Sequence, residues 1–389
     1  QRRPNLAMVR SSRALLTATI LALLSVAAAC GGTETANGDG LAAGGPGVRF
    51  DSVDQVVGAF VQSQALNGAA VTIVDRDEGI IHESFHGEFT PDRVVLLASS
   101  SKMVAADVLL ALQDRGLINL ERPLTEFVDW ADGNPEITAA QLLSNSSGLR
   151  TEWSFSPYGC QWSPSGTLSD CGVEIMSTPA DDDVVRAPDT AFDYGGAQWQ
   201  VAGAVAEAVS GRSWADLVEE SLSEPCGLTS LGFTNPWATL PNGSGNSYPP
   251  GFDGDISLLP TTLNPNIEGG GYANSRDYAR LLLMHLRGGL CGDTRVLSES
   301  AIASAHEDRI ARVYDGSAGA STGYGLGWWI DRNSGRRSDA GLYGSYPYLD
   351  LEDGYGVHIL IEKQSWVGSA LAEQLFDLVD DEMRDFRAS

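Results

Sequence analysis

The chain has 389 residues, which is enough for one large domain or two closely joined ones. Its formal net charge is −26 at pH 7, and this acidic balance excludes nucleic acid as an expected partner. The 5 cysteines and 5 histidines show no zinc-type spacing, so we expect no metal site.

Residues 1–29 predict a secretory signal peptide. Two arginines precede an uncharged apolar run from Ala14 to Ala29, and Cys30 follows directly. This end resembles a bacterial lipoprotein signal, in which the cysteine becomes the lipidated first residue; the alternative is an ordinary signal peptide beside an unrelated cysteine. Residues 30–47 form a predicted flexible tether, as a lipid anchor requires. We therefore expect an exported, membrane-anchored lipoprotein, in the periplasm or at the cell surface, with its folded domain at 48–389.

The folded domain begins with a predicted helix and hairpin. The amphipathic helix runs from about Asp51 to Gln64. Strand-like runs follow at Ala69–Val74 and Ile80–Phe85, and the turn residues between them indicate a hairpin.

A serine and a lysine next stand one helical turn apart. The apolar run of residues 94–97 reaches Ser99, and an apolar helical pattern starts directly behind it and ends near Gly116. Ser99 and Lys102 would share one face of this helix, with Ser99 in the first turn, where the positive helix end favours developing negative charge. An amine held that close can act as the base that makes a serine nucleophilic.

Lysine is scarce in this chain. Of the 25 Lys and Arg residues, only Lys102 and Lys363 are lysines. Arginine cannot usefully lose its proton, whereas burial and neighbouring groups can drive a lysine neutral. This contrast favours Ser99 as nucleophile and Lys102 as base; the alternative is a helix-capping serine beside a solvated lysine.

The folded domain contains four cysteines. An even number in an exported protein predicts two disulfides. Three pairings are open: Cys160 with Cys171 would close a short loop and leave Cys226 to pair with Cys291, and the sequence does not choose among the three.

The rest of the chain predicts further helices and strands. Helices are expected at Gln198–Ser210, Trp214–Leu222, Asn274–Arg287 and Gly368–Phe386, and strands at Gly325–Ile330, Arg337–Tyr343 and Gly356–Glu362. Strands at both ends predict an α+β fold: one antiparallel sheet built from the N- and C-terminal segments and flanked by helices, with an inserted, mostly helical lobe at about 99–270.

Several motifs, and their order along the chain, resemble those of the serine β-lactamase and penicillin-binding-protein superfamily. The resemblance is nearest to its class C-like and esterase members. Ser99-Ser100-Ser101-Lys102 is similar to the S-x-x-K motif, which implies that Ser99 is acylated and that Lys102 is its base. Residues 117–124, 137–149, 269–280 and 325–329 are similar to other stretches of the family. The resemblance covers about residues 48–389 and implies a β-lactamase/transpeptidase-like fold.

The second motif of the family is tyrosine, any residue, asparagine. Here Tyr194 matches and Gly196 stands in place of the asparagine. The resemblance implies that Tyr194 shares a proton with Lys102, so that the two titrate together; the alternative is a packed aromatic side chain. Without the asparagine, the site loses an amide that would orient the lysine and a substrate amide.

The third motif is Lys or His, any residue, glycine, on an edge strand. The match here is Asp339-Ala340-Gly341, which has no cation at its head. The resemblance implies that the N–H groups of Leu342 and Ser99 form an oxyanion hole. Arg337, two residues before Asp339 and so on the same face of a strand, is a candidate replacement for the cation.

These departures remove the charge and the amide that a β-lactam or a peptide would engage. We therefore expect a serine hydrolase that acts through an acyl-enzyme on small-molecule esters or amides, with no metal or organic cofactor. Two alternatives stay open: a catalytically idle member that binds cell-wall peptides or a partner protein, and a true β-lactamase or D-alanyl peptidase.

Overall fold

Helices and short strands alternate along the part of the chain that the computed structural model describes. That part comprises residues 50–134, 136–151, 156–178, 183–238, 248–249, 251–312 and 318–388. Its α-helices are α1 Asp51–Ser63, α2 Ser101–Asp114, α3 Ala139–Leu143, α4 Leu168–Met176, α5 Ala197–Ser210, α6 Trp214–Val218, α7 Glu224–Cys226, α8 Ser275–Leu286, α9 Glu299–His306 and α10 Ser365–Ala388. Its strands are β1 Gly68–Asp75, β2 Gly79–Gly87, β3 Val95–Leu96, β4 Gly232–Phe233, β5 Gly271–Ala273, β6 Leu290–Cys291, β7 Thr294–Arg295, β8 Thr322–Tyr324, β9 Trp329–Asp331, β10 Arg337–Ser338, β11 Tyr346–Asp350 and β12 Tyr355–Leu360.

The predicted signal peptide, Cys30 and the predicted tether lie outside the described residues. Within the described ranges, no helix combines the length and the apolar composition needed to cross a bilayer.

The first and last strands of the chain meet in one antiparallel sheet. Its order is β2-β1-β12-β11-β10-β9-β8, with Ala70 of β1 opposite Leu360 of β12. Successive β1 residues face opposite sides of the sheet. Val71 and Ile73 pack in the core shared with α1 and α10, whereas the hydroxyl of Thr72 lies 2.8 Å from that of Ser275 on α8. The predicted α+β fold, with N- and C-terminal segments in one sheet between helices, is therefore confirmed.

Helix α2 is the central element of the second core. Every residue from Ser101 to Leu112 is buried, because its apolar residues cover nearly the whole circumference of the helix. It contacts α5 and α9 and packs in one apolar cluster with residues of α4, α5 and α8. The tertiary packing therefore holds the start of α2 in a fixed place, with Lys102 in its first turn and Ser99 just before it.

The strand predicted at Arg337–Tyr343 is wrong in length and position. Strand β10 covers only Arg337–Ser338 and lies between β9 and β11, not at an edge. The chain then turns, with the N–H of Gly341 donating to the carbonyl of Ser345 at 2.8 Å, and returns as β11, which the sequence analysis missed. A Cβ on Gly341 would lie 2.0 Å from the carbonyl oxygen of Leu97, so glycine is what lets this turn pack against the chain just before Ser99.

Two disulfides link the four cysteines of the domain, which confirms the predicted number. Cys160 pairs with Cys171 and Cys226 with Cys291, at Cα–Cα distances of 5.5 and 5.0 Å. The second bridge joins the end of α7 to β6 and so closes a segment of 65 residues.

A thiol titration tests this pairing and the predicted export. The unreduced, denatured protein is expected to show no free thiol at these four cysteines, and the reduced protein is expected to show four. Each bridge restricts the unfolded chain, so reduction should lower the free energy of unfolding by about 2 to 4 kcal/mol per bridge. Four reactive thiols in the unreduced protein would contradict both the bridges and an oxidising compartment.

Candidate active site

Ser99 lies in a tight turn between β3 and α2. The turn is a 3₁₀ helix over Ala98–Ser100, and α2 begins only at Ser101, so Ser99 precedes the first α-helical turn rather than lying in it. Ala98 has a φ of 47°, in the left-handed region that residues with a Cβ rarely adopt. The Ser101 hydroxyl holds the turn: it donates to the Ala98 carbonyl at 2.6 Å and accepts the N–H of Gly271 at 2.8 Å.

Lys102 points from α2 toward Ser99. Its Nζ donates to the Ser99 Oγ at 3.2 Å and to the backbone carbonyl of Glu268 at 3.1 Å. The carboxylate of Glu268 lies 3.2 Å from the same Nζ, and the Tyr194 ring centroid lies 4.6 Å from it. The side chain of Lys102 is 0 % exposed, which excludes the alternative of a solvated surface lysine.

The neighbours of Lys102 decide its charge. Burial disfavours the ammonium, but Tyr194, Glu268 and Asp339 together outweigh that effect and raise the pKa of Lys102 above its ordinary value. Burial raises the pKa of Tyr194, and the nearby Lys102 ammonium offsets part of this rise. Because the lysine and the tyrosine interact directly, they titrate as a pair.

Tyr194 is held by a buried polar network around Asn145. The side-chain Oδ1 of Asn145 accepts the indole N–H of Trp199 at 3.1 Å and the side-chain amide of Gln198 at 3.0 Å. The backbone carbonyl of Asn145 accepts the backbone N–H of Asp193 at 2.9 Å. These bonds fix the chain on both sides of Tyr194. The Tyr194 ring faces the Lys102 ammonium and lines the cavity with Ser99, so its role is more than packing.

Glu268 is a site residue that the sequence analysis missed. Its carboxylate fills the space beside Gly196, where the second family motif has an asparagine. A Cβ on Gly196 would lie 2.1 Å from the Glu268 Oε1. The signal in the sequence was faint: Glu268 is the only carboxylic acid in residues 256–276, directly before three glycines.

Asp339 does not reach the place where the third family motif has a cation. Its side chain is 0 % exposed, and its Oδ2 accepts the N–H of Met103 at 3.1 Å, at the start of α2. A carboxylate is stabilised there by the positive end of the helix. Burial nevertheless raises the pKa of Asp339, against the effect of the Lys102 ammonium. The substrate-binding role predicted for Asp339 is therefore corrected: its buried carboxylate binds the backbone of the first turn of α2.

Arg337 does not replace the missing cation either. Its guanidinium donates to the backbone carbonyl of His306 at 3.4 Å and to that of Gly335. Strand β10 directs this side chain toward α9, so it contributes no charge to the site. Of the residues predicted around the third motif, Leu342 is the one that the structure places beside Ser99 at the cavity.

Ser99 opens into a cavity of about 320 Å³. Tyr194, Glu268 and Leu342 line it with Ser99, and two large aromatic side chains, Trp237 and Trp329, form apolar walls. Among the described residues that line the cavity, Glu268 is the one with a charged group, and no arginine or histidine is present. The described lining of the cavity is therefore partly apolar, and its charged group, Glu268, is paired with Lys102.

Known proteins match nearly all of the folded part. Residues 53–379 match the family described as Beta-lactamase. Penicillin-binding protein 4 of Amycolatopsis lactamdurans is 26% identical over 333 residues, which cover 79% of this chain and 84% of that protein. Esterase EstB of Burkholderia gladioli is 28% identical over 204 residues, which cover 47% of this chain and about half, 51%, of the esterase.

A solved structure shows the same architecture. The putative beta-lactamase from Bacteroides dorei DSM 17855 superimposes with a TM-score of 0.69 at 25% identity, over 86% of this chain and 99% of that one. The motif order, the sheet and these matches agree with the resemblance found in the sequence. The chain belongs to the Beta-lactamase family, within the serine β-lactamase and penicillin-binding-protein superfamily, and the family and its relatives indicate hydrolase activity.

Proposed function

We propose that the protein hydrolyses small, neutral esters or amides through an acyl-enzyme on Ser99. The observation that carries this proposal is the 3.2 Å contact between the Ser99 Oγ and the Lys102 Nζ at the wall of the cavity. A serine that contacts a buried amine, with a tyrosine beside both, is an arrangement that activates a nucleophile.

The proposed reaction has two matching halves. The Ser99 Oγ attacks the carbonyl carbon while the Lys102–Tyr194 pair takes the hydroxyl proton. The N–H groups of Ser99 and Leu342 stabilise the oxyanion, and the pair returns the proton to the leaving alcohol or amine. Water then attacks the acyl-enzyme, gives its proton to the pair, and releases the acid and the free Ser99.

The lining of the cavity supports neutral substrates. A carboxylate on the substrate would lie near Glu268 with no cation among the described lining residues to pair with it. The aromatic walls of Trp237 and Trp329 suit an apolar acyl or alcohol group. The similarity to a protein named as an esterase supports the same substrate class.

Two activated esters of similar size isolate the effect of charge. Mono-4-nitrophenyl succinate differs from 4-nitrophenyl butyrate mainly by a carboxylate. We expect the kcat/KM for the butyrate to be about tenfold or more above that for the succinate. Tenfold corresponds to about 1.4 kcal/mol. Nitrocefin and a D-alanyl-D-alanine peptide complete the panel. A preference for the charged ester, or for nitrocefin, would identify a β-lactamase or peptidase instead. No turnover together with no labelling by a fluorophosphonate would identify the idle, ligand-binding alternative.

Export and anchoring at Cys30 remain part of the proposal. The two disulfides support an oxidising compartment, because such bonds rarely persist in a reducing cytosol. The thiol titration described above tests the oxidising compartment.

A further inference from the structure

Gly196 is a glycine for reasons of space and not of backbone conformation. It precedes α5 with φ −82° and ψ −30°, a conformation open to any residue. What leaves no room for a side chain is the Glu268 carboxylate, whose Oε1 and Cδ would lie 2.1 and 2.3 Å from a Cβ at this position, together with the Gln161 Oε1 at 2.6 Å. A side chain at position 196 would therefore have to displace the ends of the Glu268 and Gln161 side chains.

Glu268 contacts the Lys102 ammonium through two of its oxygens. Its backbone carbonyl accepts from the Lys102 Nζ at 3.1 Å, and its carboxylate Oε2 lies 3.2 Å from the same atom. The glutamate side chain is 8 % exposed and lines the cavity beside Ser99. Lys102 thus has one acceptor in Ser99 and two in Glu268, which orient its ammonium group.

We propose that Glu268 is a positioning residue that takes over the role of the missing asparagine, holding Lys102 against Ser99 with a carboxylate in the space that Gly196 leaves open. This inference rests on the proposed acylation of Ser99. It makes the pair Gly196–Glu268 an exchange: the acid at 268 fills space that a side chain at 196 would need.

The exchange has an electrostatic consequence, because a carboxylate carries a charge that an amide lacks. The negative charge stabilises the Lys102 ammonium and raises the pKa of Lys102. If the pair must lose a proton before Ser99 reacts, activity rises with pH through the titration of the pair. Removing the charge lowers the pKa of Lys102. The part of the pH profile in which activity increases, called the rising limb below, should therefore move to lower pH.

The first test compares Glu268→Gln with wild type by the rate at which a fluorophosphonate labels Ser99, measured against pH. Glutamine keeps the shape and an oxygen acceptor but loses the charge. We expect the rising limb to move down by about one pH unit or more, since an opposite charge at this distance shifts a pKa by about 1 to 3 units. The matched control is Glu83→Gln: Glu83 is also buried and paired, with Arg276 at 2.7 Å on α8, and its limb should stay in place.

The second test exchanges the two positions. Glu268→Ala is expected to lower the labelling rate of Ser99 by about 10²-fold, because an error of about 1 Å in the catalytic geometry has that effect. Gly196→Asn alone should also be slow, because its side chain collides with the carboxylate. The double variant Gly196→Asn/Glu268→Ala should recover about tenfold or more over either single variant, since the amide then holds Lys102 once the end of the Gln161 side chain, the other neighbour of position 196, has shifted.

The outcomes separate this inference from the proposed function. Wild-type protein with no label on Ser99 at any pH would overturn the acylation and the inference together. Two results would overturn only the role of Glu268, provided that Ser99 of the wild type is labelled. In one, the pH profile of labelling is the same in Glu268→Gln as in wild type; in the other, the double variant is labelled no faster than the slower single variant. Should Glu268→Ala fail to fold, as melting would show, the glutamine variant alone decides.

Discussion

Replacing Ser99 with alanine is expected to reduce kcat/KM on an activated ester by about 10⁴-fold or more, the scale seen when a nucleophile that works within a catalytic unit is lost. The fold should persist, because the lost hydroxyl makes one bond to Lys102, and that lysine keeps both oxygens of Glu268. The free energy of unfolding should change by about 1 kcal/mol or less. Steady-state kinetics and thermal melting measure the two quantities.

The adjacent serines provide the control. Ser100 and Ser101 are 0 % exposed, and their hydroxyls donate to the backbone carbonyls of Asp339 and Ala98. Neither can meet a reagent, so peptide mapping after fluorophosphonate treatment should place the adduct on Ser99. Ser100→Ala should still be labelled, although it loses a buried hydrogen bond. An adduct on any other serine would refute the assignment of the nucleophile.

Lys102→Arg is expected to lower kcat/KM by about 10² to 10⁴-fold or more, the usual range for loss of a general base. Arginine preserves the positive charge but cannot accept a proton at working pH, and its wider guanidinium must fit where the lysine is fully buried. In the wild type, activity should rise with pH. Since its neighbours raise the pKa of Lys102, the rise should lie on the alkaline side, and the variant should lose it.

Lys363→Arg is the matched control, because it changes the other lysine of the chain at an exposed position. Its kcat/KM and pH profile should equal those of wild type. If Lys102→Arg keeps more than about a tenth of wild-type activity, a loss smaller than any general-base effect of that size, Lys102 is not the base. Tyr194 would then be the group to test in that role.

Short-range patterns carried much of the information in the sequence. Ser99 and Lys102 are three positions apart, and although Ser99 lies in the 3₁₀ turn just before α2, their side chains do meet in the structure. The hairpin of β1 and β2, helix α8 and the number of disulfides also followed from local composition, turn residues and counting. Motif order along the chain was sufficient to identify the family and the α+β fold.

The tertiary structure alone decided which distant groups complete the site. Glu268 lies 166 positions from Lys102, and no local pattern shows that its carboxylate fills the space beside Gly196. Asp339 stands at the head of the third motif and Arg337 two residues before it, but the turn after β10 buries the first under α2 and the strand directs the second toward His306. Side-chain direction and partner choice depend on packing between remote elements, whereas spacing along one helix depends only on the geometry of that helix.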